Sequence, residues 1–317
     1  MSTASYNCPC CGAPLAFSGE SGRLECAACG NSFEPEALEM LSASESGEQI
    51  SFDRPKEGFQ ASEDGMRVYL CKNCGAELLT ENTTTAAECP YCGSPTILPD
   101  RIEGGVKPEK VIPFVVSKEQ AQKQFEDYFK GKKLLPNVFL NSRNRVSEMR
   151  RLYVPYWLFS CDAHADMVYD AEKVRTEQKG EWEITRTKHY LVRRKGGMCF
   201  ENIPVDGSVK MDDKLTESLE PYDLSAAIPF QSAVLAGAMA DHADADCDAC
   251  EKRAVERSVE QTMLDTVRDY DTVNERNRRI VTERGSATPA LLPVWLMTTV
   301  KEGKTYTFAV NVQTGKL

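Results

Sequence analysis

After residue 110 the order of apolar and polar residues is typical of a globular α+β domain with an antiparallel sheet. The apolar run 111–116 predicts a short strand. Ser117 then stands at an N-cap position with Gln120 three residues later, the arrangement of a capping box, and Gly131 closes the periodic segment. These signals predict a helix over 118–130.

This helix carries an apolar side, which predicts that it packs on a core. The side is formed by Ala121, Phe125, Tyr128 and Phe129. Farther along, residues 181–200 alternate as solvated antiparallel strands do. Their apolar positions include Trp182, Ile184, Tyr190 and Val192. We expect Gly196-Gly197 to form the turn between two strands, and residues 193–195 to be a solvated strand end rather than a basic patch.

A short segment of this domain recurs weakly. Residues 154–158 (Val-Pro-Tyr-Trp-Leu) resemble residues 292–296 (Leu-Pro-Val-Trp-Leu). A helical pattern precedes each segment, over 117–131 and 251–270, and alternating residues suited to a hairpin follow each. The repeat is consistent with two helix-plus-hairpin halves.

Cysteines dominate the first hundred residues. Four Cys-x-x-Cys-Gly motifs form two matching pairs: Cys8 and Cys11 with Cys26 and Cys29, and Cys71 and Cys74 with Cys89 and Cys92. Fourteen residues separate the motifs within each pair, and the pairs superpose at an offset of 63 residues. Two such turns place four thiolates around one cation. The sequence therefore predicts two duplicated zinc ribbons that bind two zinc ions.

Both ions are expected to be structural. A segment of roughly thirty residues buries too little apolar surface to fold alone, whereas structural zinc contributes on the order of 10–16 kcal/mol. A catalytic zinc needs an open position and usually histidine, and the first histidine is His164. Cys10 has no partner at ligand spacing and is expected to be a bystander thiol.

Composition divides the chain into segments. Residues 42–65 are rich in Ser, Glu, Gly and Asp, as mobile tethers are, and Pro and Gly punctuate residues 95–108. We predict zinc ribbon 1 over 1–40, an acidic flexible linker over 41–66, zinc ribbon 2 over 67–105, and an α+β domain over 106–317 with candidate halves 106–200 and 201–317.

The ribbons are strongly acidic. Residues 1–105 contain 16 Asp and Glu against 6 Lys and Arg, a net charge of −10, and the other 212 residues contain 32 of each sign. Each zinc with four thiolates adds about −2. Because nucleic-acid binding relies on Lys and Arg that neutralise phosphates, this half of the chain disfavours nucleic acid as a partner.

Other candidates for chemistry are weaker. Cys247 and Cys250 form a fifth Cys-x-x-Cys, but no glycine or second pair accompanies them. They form either a third metal site or, as the pattern favours, the entrance of a helix whose acids complement the helix dipole. His164 is expected to be an ordinary hydrogen-bonding residue. Gly303-Lys304-Thr305 lacks the upstream glycine of a phosphate loop. Nucleophile elbows, His-Glu-x-x-His and Gly-x-Gly-x-x-Gly are also missing from the sequence, so we predict no enzyme.

Cysteine usage and the start of the chain indicate the compartment. Eight of thirteen cysteines lie in the zinc motifs, and residues 2–5 are polar, without an apolar signal core. A reducing compartment, the cytoplasm, follows. No apolar run approaches the about 18 residues of a transmembrane helix.

Several motifs together resemble one bacterial family. Besides the cysteine motifs, they are residues 153–159, 204–208, 210–213, 220–223, 292–295, 306–311 and 314–316. Over nearly its whole length the chain is similar to bacterial TFIIB-type zinc-ribbon-containing proteins, often labelled replication helicase-like. The resemblance implies a membrane anchor beyond residue 317 and partners in a membrane-stress or flotillin-like complex. Cys247 and Cys250 depart from the family pattern, which further disfavours a third zinc.

We therefore expect a non-enzymatic zinc-binding adaptor, cytoplasmic or tethered to a membrane, whose acidic ribbons bind protein partners. The alternative is a nucleic-acid-binding accessory factor of replication or transcription. The local negative charge favours the adaptor.

Overall fold

The computed structural model describes residues 7–19, 21–42, 53–54, 66–81, 89–92, 94, 97–100, 106–129, 149–235, 238–301 and 304–316. Most of the predicted linker lies outside these residues, as do Gly131 and the side chains of Tyr128 and Phe129.

Strands dominate the described chain, and helices are few. The strands are β1 Ala16–Ser18, β2 Arg23–Glu25, β3 Ser32–Phe33, β4 Met66–Cys71, β5 Glu77–Glu81, β6 Ile97–Asp100, β7 Lys110–Val111, β8 Arg150–Lys179, β9 Trp182–Asp206, β10 Ile228–Pro229, β11 Met239–Asp241, β12 Thr272–Lys301 and β13 Lys304–Asn311. The helices are α1 Pro35–Ser42, α2 Lys118–Phe129, α3 Asp213–Leu219 and α4 Cys247–Asp265, with short 3-10 turns at Leu224–Ala226 and Ser232–Leu235.

Contacts group the chain into two compact units. Unit 1 comprises residues 1–52, 161–200 and 255–285, and unit 2 comprises residues 53–160, 201–254 and 286–317. These units cut across the predicted segments, since the second ribbon shares unit 2 with much of the predicted α+β domain. Ribbon 2 contributes β4, β5 and β6 to a larger sheet.

In unit 1 the strand order is β1-β2-β3-β9-β8. The ribbon strands β1, β2 and β3 are antiparallel, and β3 joins β9 in parallel, with Ser32 opposite Tyr190. Leu24 and Phe33 of the ribbon share a buried core with Val168 of β8 and Leu191 of β9. Ribbon 1 therefore obtains part of its core from strands more than 100 residues later in the chain.

In unit 2 the strands form two hydrogen-bonded rows, of which one includes β8 and the other includes β12. One row runs β8-β11-β5-β4-β6, and the other runs β10-β7-β12-β13. The β11–β8 and β12–β7 pairs are parallel, and the other pairs of these rows are antiparallel. The sheet is thus mixed, and the prediction of an antiparallel sheet is wrong in this respect, because strands from distant segments need no hairpin and pair in either direction.

The predicted helix 118–130 is confirmed as α2. The backbone N–H of Ser117 donates to Gln120 Oε1 (2.9 Å), and the N–H of Gln120 donates to Ser117 Oγ (3.3 Å), which is a capping box. Ala121 and Phe125 are buried on its apolar side. The strand before it is shorter than predicted, Lys110–Val111, since Pro113 has no N–H to donate to a ladder.

The predicted turn at Gly196-Gly197 is wrong, because β9 continues through both glycines. The turn lies earlier, at Gly180-Glu181, where Gly180 has φ +67°. Gly197 serves close packing instead: a Cβ there would lie 3.0 Å from Cε1 of His164. Glycine at this place makes room for the neighbouring strand.

The order helix, long strand, hairpin strand occurs twice, as α2-β8-β9 and α4-β12-β13. The second helix begins and ends earlier than the predicted 251–270. Both segments of the sequence repeat lie in buried parts of 30-residue strands. Duplication of the domain stays a prediction.

Candidate metal centres

Three of the four cysteine motifs form the same tight backbone turn around their glycine. The glycine N–H donates to the carbonyl of the first cysteine: Gly12 to Cys8 (2.8 Å), Gly30 to Cys26 (2.8 Å) and Gly75 to Cys71 (2.7 Å). These glycines have φ between +70° and +74°, a conformation that glycine adopts without a Cβ clash. The glycine of each of these motifs is therefore required by the turn itself.

A second hydrogen bond closes every turn. The N–H of the first cysteine donates to the carbonyl five residues later: Cys8 to Ala13 (2.7 Å), Cys26 to Asn31 (2.8 Å), Cys71 to Ala76 (2.9 Å) and Cys89 to Ser94 (2.9 Å). The two thiols of a motif consequently point to the same side of the turn.

The turns bring the eight cysteines together in two tetrads, as predicted. Site 1 consists of Cys8, Cys11, Cys26 and Cys29, and site 2 consists of Cys71, Cys74, Cys89 and Cys92. Within each tetrad all four sulfurs lie within 4.8 Å of one another. Each site can hold one metal ion.

The sulfur separations fit a tetrahedral shell. Four of the Sγ–Sγ distances are 3.6 Å for Cys8–Cys29, 3.5 Å for Cys11–Cys26, 3.6 Å for Cys71–Cys92 and 3.7 Å for Cys74–Cys89. Four ligands at a Zn–S distance of about 2.3 Å stand roughly 3.8 Å apart, whereas a disulfide would need about 2.05 Å. The described thiols are therefore arranged as ligands and not as disulfides.

The two sites differ in burial. In site 1, Cys8 and Cys26 are buried but Cys11 and Cys29 are exposed. In site 2, Cys71 and Cys89 are fully buried, and Cys74 and Cys92 are half-buried. Site 2 also shares its core with Leu78 of β5, Val154 of β8 and Leu292 of β12. Site 2 is thus part of the main core of its unit.

Hydrogen bonds to sulfur lower the pKa of one thiol in each tetrad. The N–H groups of Cys29 and Ala28 lower the pKa of Cys26 to about 7. Burial raises the pKa of Cys92, but hydrogen bonds from the Asn73 side chain and the Ser94 N–H outweigh it, and the pKa falls to about 7. Donors of this kind stabilise thiolates, the form that binds metal.

Cys10 lies beside site 1. At the repeat offset it corresponds to Asn73, whose side chain hydrogen-bonds Cys92. Burial, followed by the proximity of Cys8 and Cys29, raises the pKa of Cys10. It is outside the tetrad, which agrees with the expectation of a thiol without a ligand role.

Sequence reasoning missed the polar contacts that fasten site 2 to the rest of unit 2. Tyr91, between two ligands, donates its hydroxyl to Asp241 Oδ2 of β11, and Ser208 donates to the same oxygen. Burial raises the pKa of Asp241 to about 7. Lys210 Nζ donates to the Cys74 carbonyl at 3.0 Å. Nothing in the local pattern around residue 241 distinguishes this carboxylate from a surface residue.

The fifth Cys-x-x-Cys begins a helix, as the favoured alternative predicted. Cys247 is the first residue of α4, and the Asp246 side chain accepts from the Asp248 N–H at 3.3 Å. Burial raises the pKa of Cys247 and of Cys250 to about 11, which favours neutral thiols over metal-binding thiolates. Within the described residues, the ligand-type groups that could hold a metal are the two tetrads.

His164 and Arg193, which the sequence analysis also discussed, contact other residues of the fold. His164 is exposed, with Nε2 4.0 Å from Glu283 Oε2. Arg193, predicted as a solvated strand end, instead pairs with Asp166, with Nε 2.7 Å from Oδ1, and donates to the Glu36 carbonyl of α1 at 2.9 Å. This arginine therefore fastens ribbon 1 to β8 and β9.

Fold and sites together define a strand-rich protein with two four-cysteine groups in its first hundred residues, each of which could hold a metal ion. The chain is 35% identical over 318 residues to "Uncharacterized protein YdjG" of Bacillus subtilis (strain 168), an alignment that covers 99% of this chain and 88% of the relative. The chain belongs to the same family as that protein. No family model and no solved structure matches the chain.

Among the described helices, none is both long enough and apolar enough to cross a membrane.

Oxidation should distinguish the two sites. Hydrogen peroxide is expected to release the ion of site 1 before that of site 2, because Cys11 and Cys29 are exposed whereas Cys71 and Cys89 are fully buried. A chromogenic chelator would follow the release, and alkylation with mass spectrometry would locate the oxidised thiols. Cys10→Asn, which copies the second ribbon, should leave the order unchanged. Simultaneous release of both ions would contradict the expectation.

Proposed function

We propose that the protein is a non-enzymatic zinc-binding adaptor whose acidic ribbons bind protein partners in a membrane-associated complex. The observation that carries the proposal is the pair of closed four-thiolate sites. Four thiolates in a tetrahedral arrangement favour zinc over hard cations such as Mg²⁺, and they leave no open position for a substrate. Zinc then has a structural role, and the ribbon surface has the functional one.

The surface of ribbon 1 offers a place for a partner strand. On the β1–β2–β3 ladder, Phe17 lies opposite Leu24, which lies opposite Phe33. Leu24 and Phe33 are buried, whereas Phe17 is 63% exposed. Strand β1 pairs only with β2 within the described residues, so its outer edge supports addition of an extended segment.

Charge complementarity sets the chemistry of the partner. Residues 1–105 carry a net charge of −10 before the charge of the metal centres is added. An extended protein segment with Lys or Arg and an apolar side chain for Phe17 fits this surface. The same charge disfavours phosphate.

Three measurements test the proposal. Elemental analysis should give two zinc ions per chain. Fluorescence anisotropy of the full chain with DNA and RNA at about 50 mM salt should show no salt-sensitive micromolar binding, and such binding is the result that favours the accessory-factor alternative. Affinity purification should lose its protein partners with Phe17→Asp but keep them with Val209→Asp, an exposed apolar control in unit 2.

A further inference from the structure

The hairpin formed by β8 and β9 is solvated on both faces near its turn. From Lys173 to Lys188 its residues are exposed, apart from the half-buried Ile184. Two side-chain contacts fix the pairing: Thr176 Oγ1 lies 3.2 Å from Thr185 Oγ1, and Glu172 Oε1 lies 3.0 Å from His189 Nδ1. Cross-strand side chains in contact share a face, so the members of each face can be assigned.

The two faces carry opposite charge. One face, here called the basic face, consists of Lys173, Arg175, Glu177, Lys179, Trp182, Ile184, Arg186 and Lys188. The opposite face consists of Glu172, Val174, Thr176, Gln178, Glu183, Thr185, Thr187 and His189. The basic face has five cations and one carboxylate, whereas the opposite face has two carboxylates and no Lys or Arg.

Aromatic residues stand at both ends of the basic face. Trp182, next to the turn, is 77% exposed, while Trp157 and Trp295 are buried. At the other end, Tyr190 and Tyr270 are in contact, with ring centroids 5.2 Å apart, and Lys173 Nζ lies 4.9 Å from the Tyr270 ring. Within the described part of the chain, none of the five cations forms an ion pair. The exposed Trp182 and the four cations other than Lys173 are therefore available to bind an outside partner.

The hairpin also extends past its neighbouring strand. The Asp271 side chain accepts from the Val174 N–H at 2.6 Å, and β12 begins at the next residue. Residues 175–186 therefore form a two-stranded ribbon without a third described strand beside them. A two-stranded ribbon with a tryptophan near its turn can lay one face on a flat surface.

We propose that the basic face binds the anionic surface of a lipid membrane, with Trp182 at the headgroup level. Lys and Arg are attracted by the negative potential of phosphatidylserine-type leaflets, and exposed tryptophan partitions to the membrane–water interface. Lipid fits better than nucleic acid because the aromatic residues flank the cations, whereas binding of single strands uses aromatic side chains placed for successive bases. This function is separate from partner binding by the ribbons.

Vesicle binding by the full chain tests the proposal. Phosphatidylcholine vesicles with about one-third phosphatidylserine should bind the protein and blue-shift its tryptophan emission, since Trp182 is the exposed one of three, and phosphatidylcholine alone should not. The double variant Arg186→Gln, Lys188→Gln should weaken binding about thirtyfold. The matched control Thr185→Glu, Thr187→Glu lowers the net charge by the same two units, by adding two carboxylates to the opposite face, and should leave binding within about twofold.

Each outcome decides the proposal. Loss with the first pair and not with the second supports it, provided that both variants melt at the wild-type temperature. No binding to the anionic vesicles, or equal weakening by both pairs, overturns it. Tighter binding to a short DNA duplex than to the vesicles also overturns it and assigns the basic face to nucleic acid.

Discussion

Cys89→Ser is expected to unfold unit 2 and to release one of two metal ions. Cys89 is fully buried in one core cluster with residues of β5, β8 and β12. Structural zinc contributes on the order of 10–16 kcal/mol, which is comparable with the about 5–15 kcal/mol by which a whole domain is stable. Loss of site 2 therefore removes a stabilisation as large as the free energy of unfolding expected for unit 2.

The measurement uses the tryptophans. Trp157 and Trp295 are buried in unit 2, so in a Trp182→Phe background the fluorescence reports unit 2. Cys26→Ser is the matched control: it should also lose one ion but leave the unit 2 melting transition in place, because Cys26 belongs to the core of unit 1. A native-like unit 2 transition in Cys89→Ser would refute the dependence on site 2.

Asn311→Ala is expected to destabilise unit 2 by about 3 kcal/mol. The turn after β13 repeats the backbone of the cysteine motifs: the Gly315 N–H donates to the Asn311 carbonyl (2.9 Å), the Asn311 N–H donates to the Lys316 carbonyl (2.8 Å), and Gly315 has φ +70°. Asn311 Oδ1 accepts from the N–H groups of Gln313 (2.7 Å) and Thr314 (3.0 Å), as Cys26 Sγ does from Ala28 and Cys29. In this turn the Asn311 amide thus occupies the position that the first cysteine has in the motifs.

The side-chain nitrogen of Asn311 connects this turn to the end of α3 and the loop that follows it. Asn311 Nδ2 donates to the carbonyls of Leu219 (2.8 Å) and Pro221 (3.2 Å), and Asn311 is fully buried. Alanine would leave these buried groups without partners. Urea unfolding measures the loss, and Thr314→Ala, at an exposed position of the turn, should change stability by less than about 0.5 kcal/mol. An equal effect of both substitutions would show that the buried amide is unimportant.

The two cysteine tetrads were predictable because they depend on local spacing and a glycine turn, both of which are visible in the sequence. The capping box at Ser117 was predictable for the same reason: its partners lie within three residues. Local signals gave no information about which strand each ribbon would join. Phe33 packs with Val168 and Leu191, and no pattern within a short window encodes such a contact.

One wrong prediction and one missed feature have identifiable physical causes. Gly196-Gly197 has the composition of a turn, but Gly197 is needed where a side chain would contact His164. The alternation over 181–200 predicted strands correctly, yet it did not show that apolar Trp182 and the cations share one face. That assignment required the cross-strand pairing of Thr176 with Thr185.

Chain order has a consequence for biosynthesis. Each tetrad is complete within a span of 22 residues, so its four cysteines leave the ribosome within a short stretch of synthesis. Leu292 and Ala309, which share a core with site 2, follow Cys92 by about 200 residues. At a typical synthesis rate of about 5–20 residues per second, the second ribbon waits on the order of ten seconds or more for these partners. During that interval, binding of one ion by the four thiolates can order the second ribbon before its core partners have been synthesised.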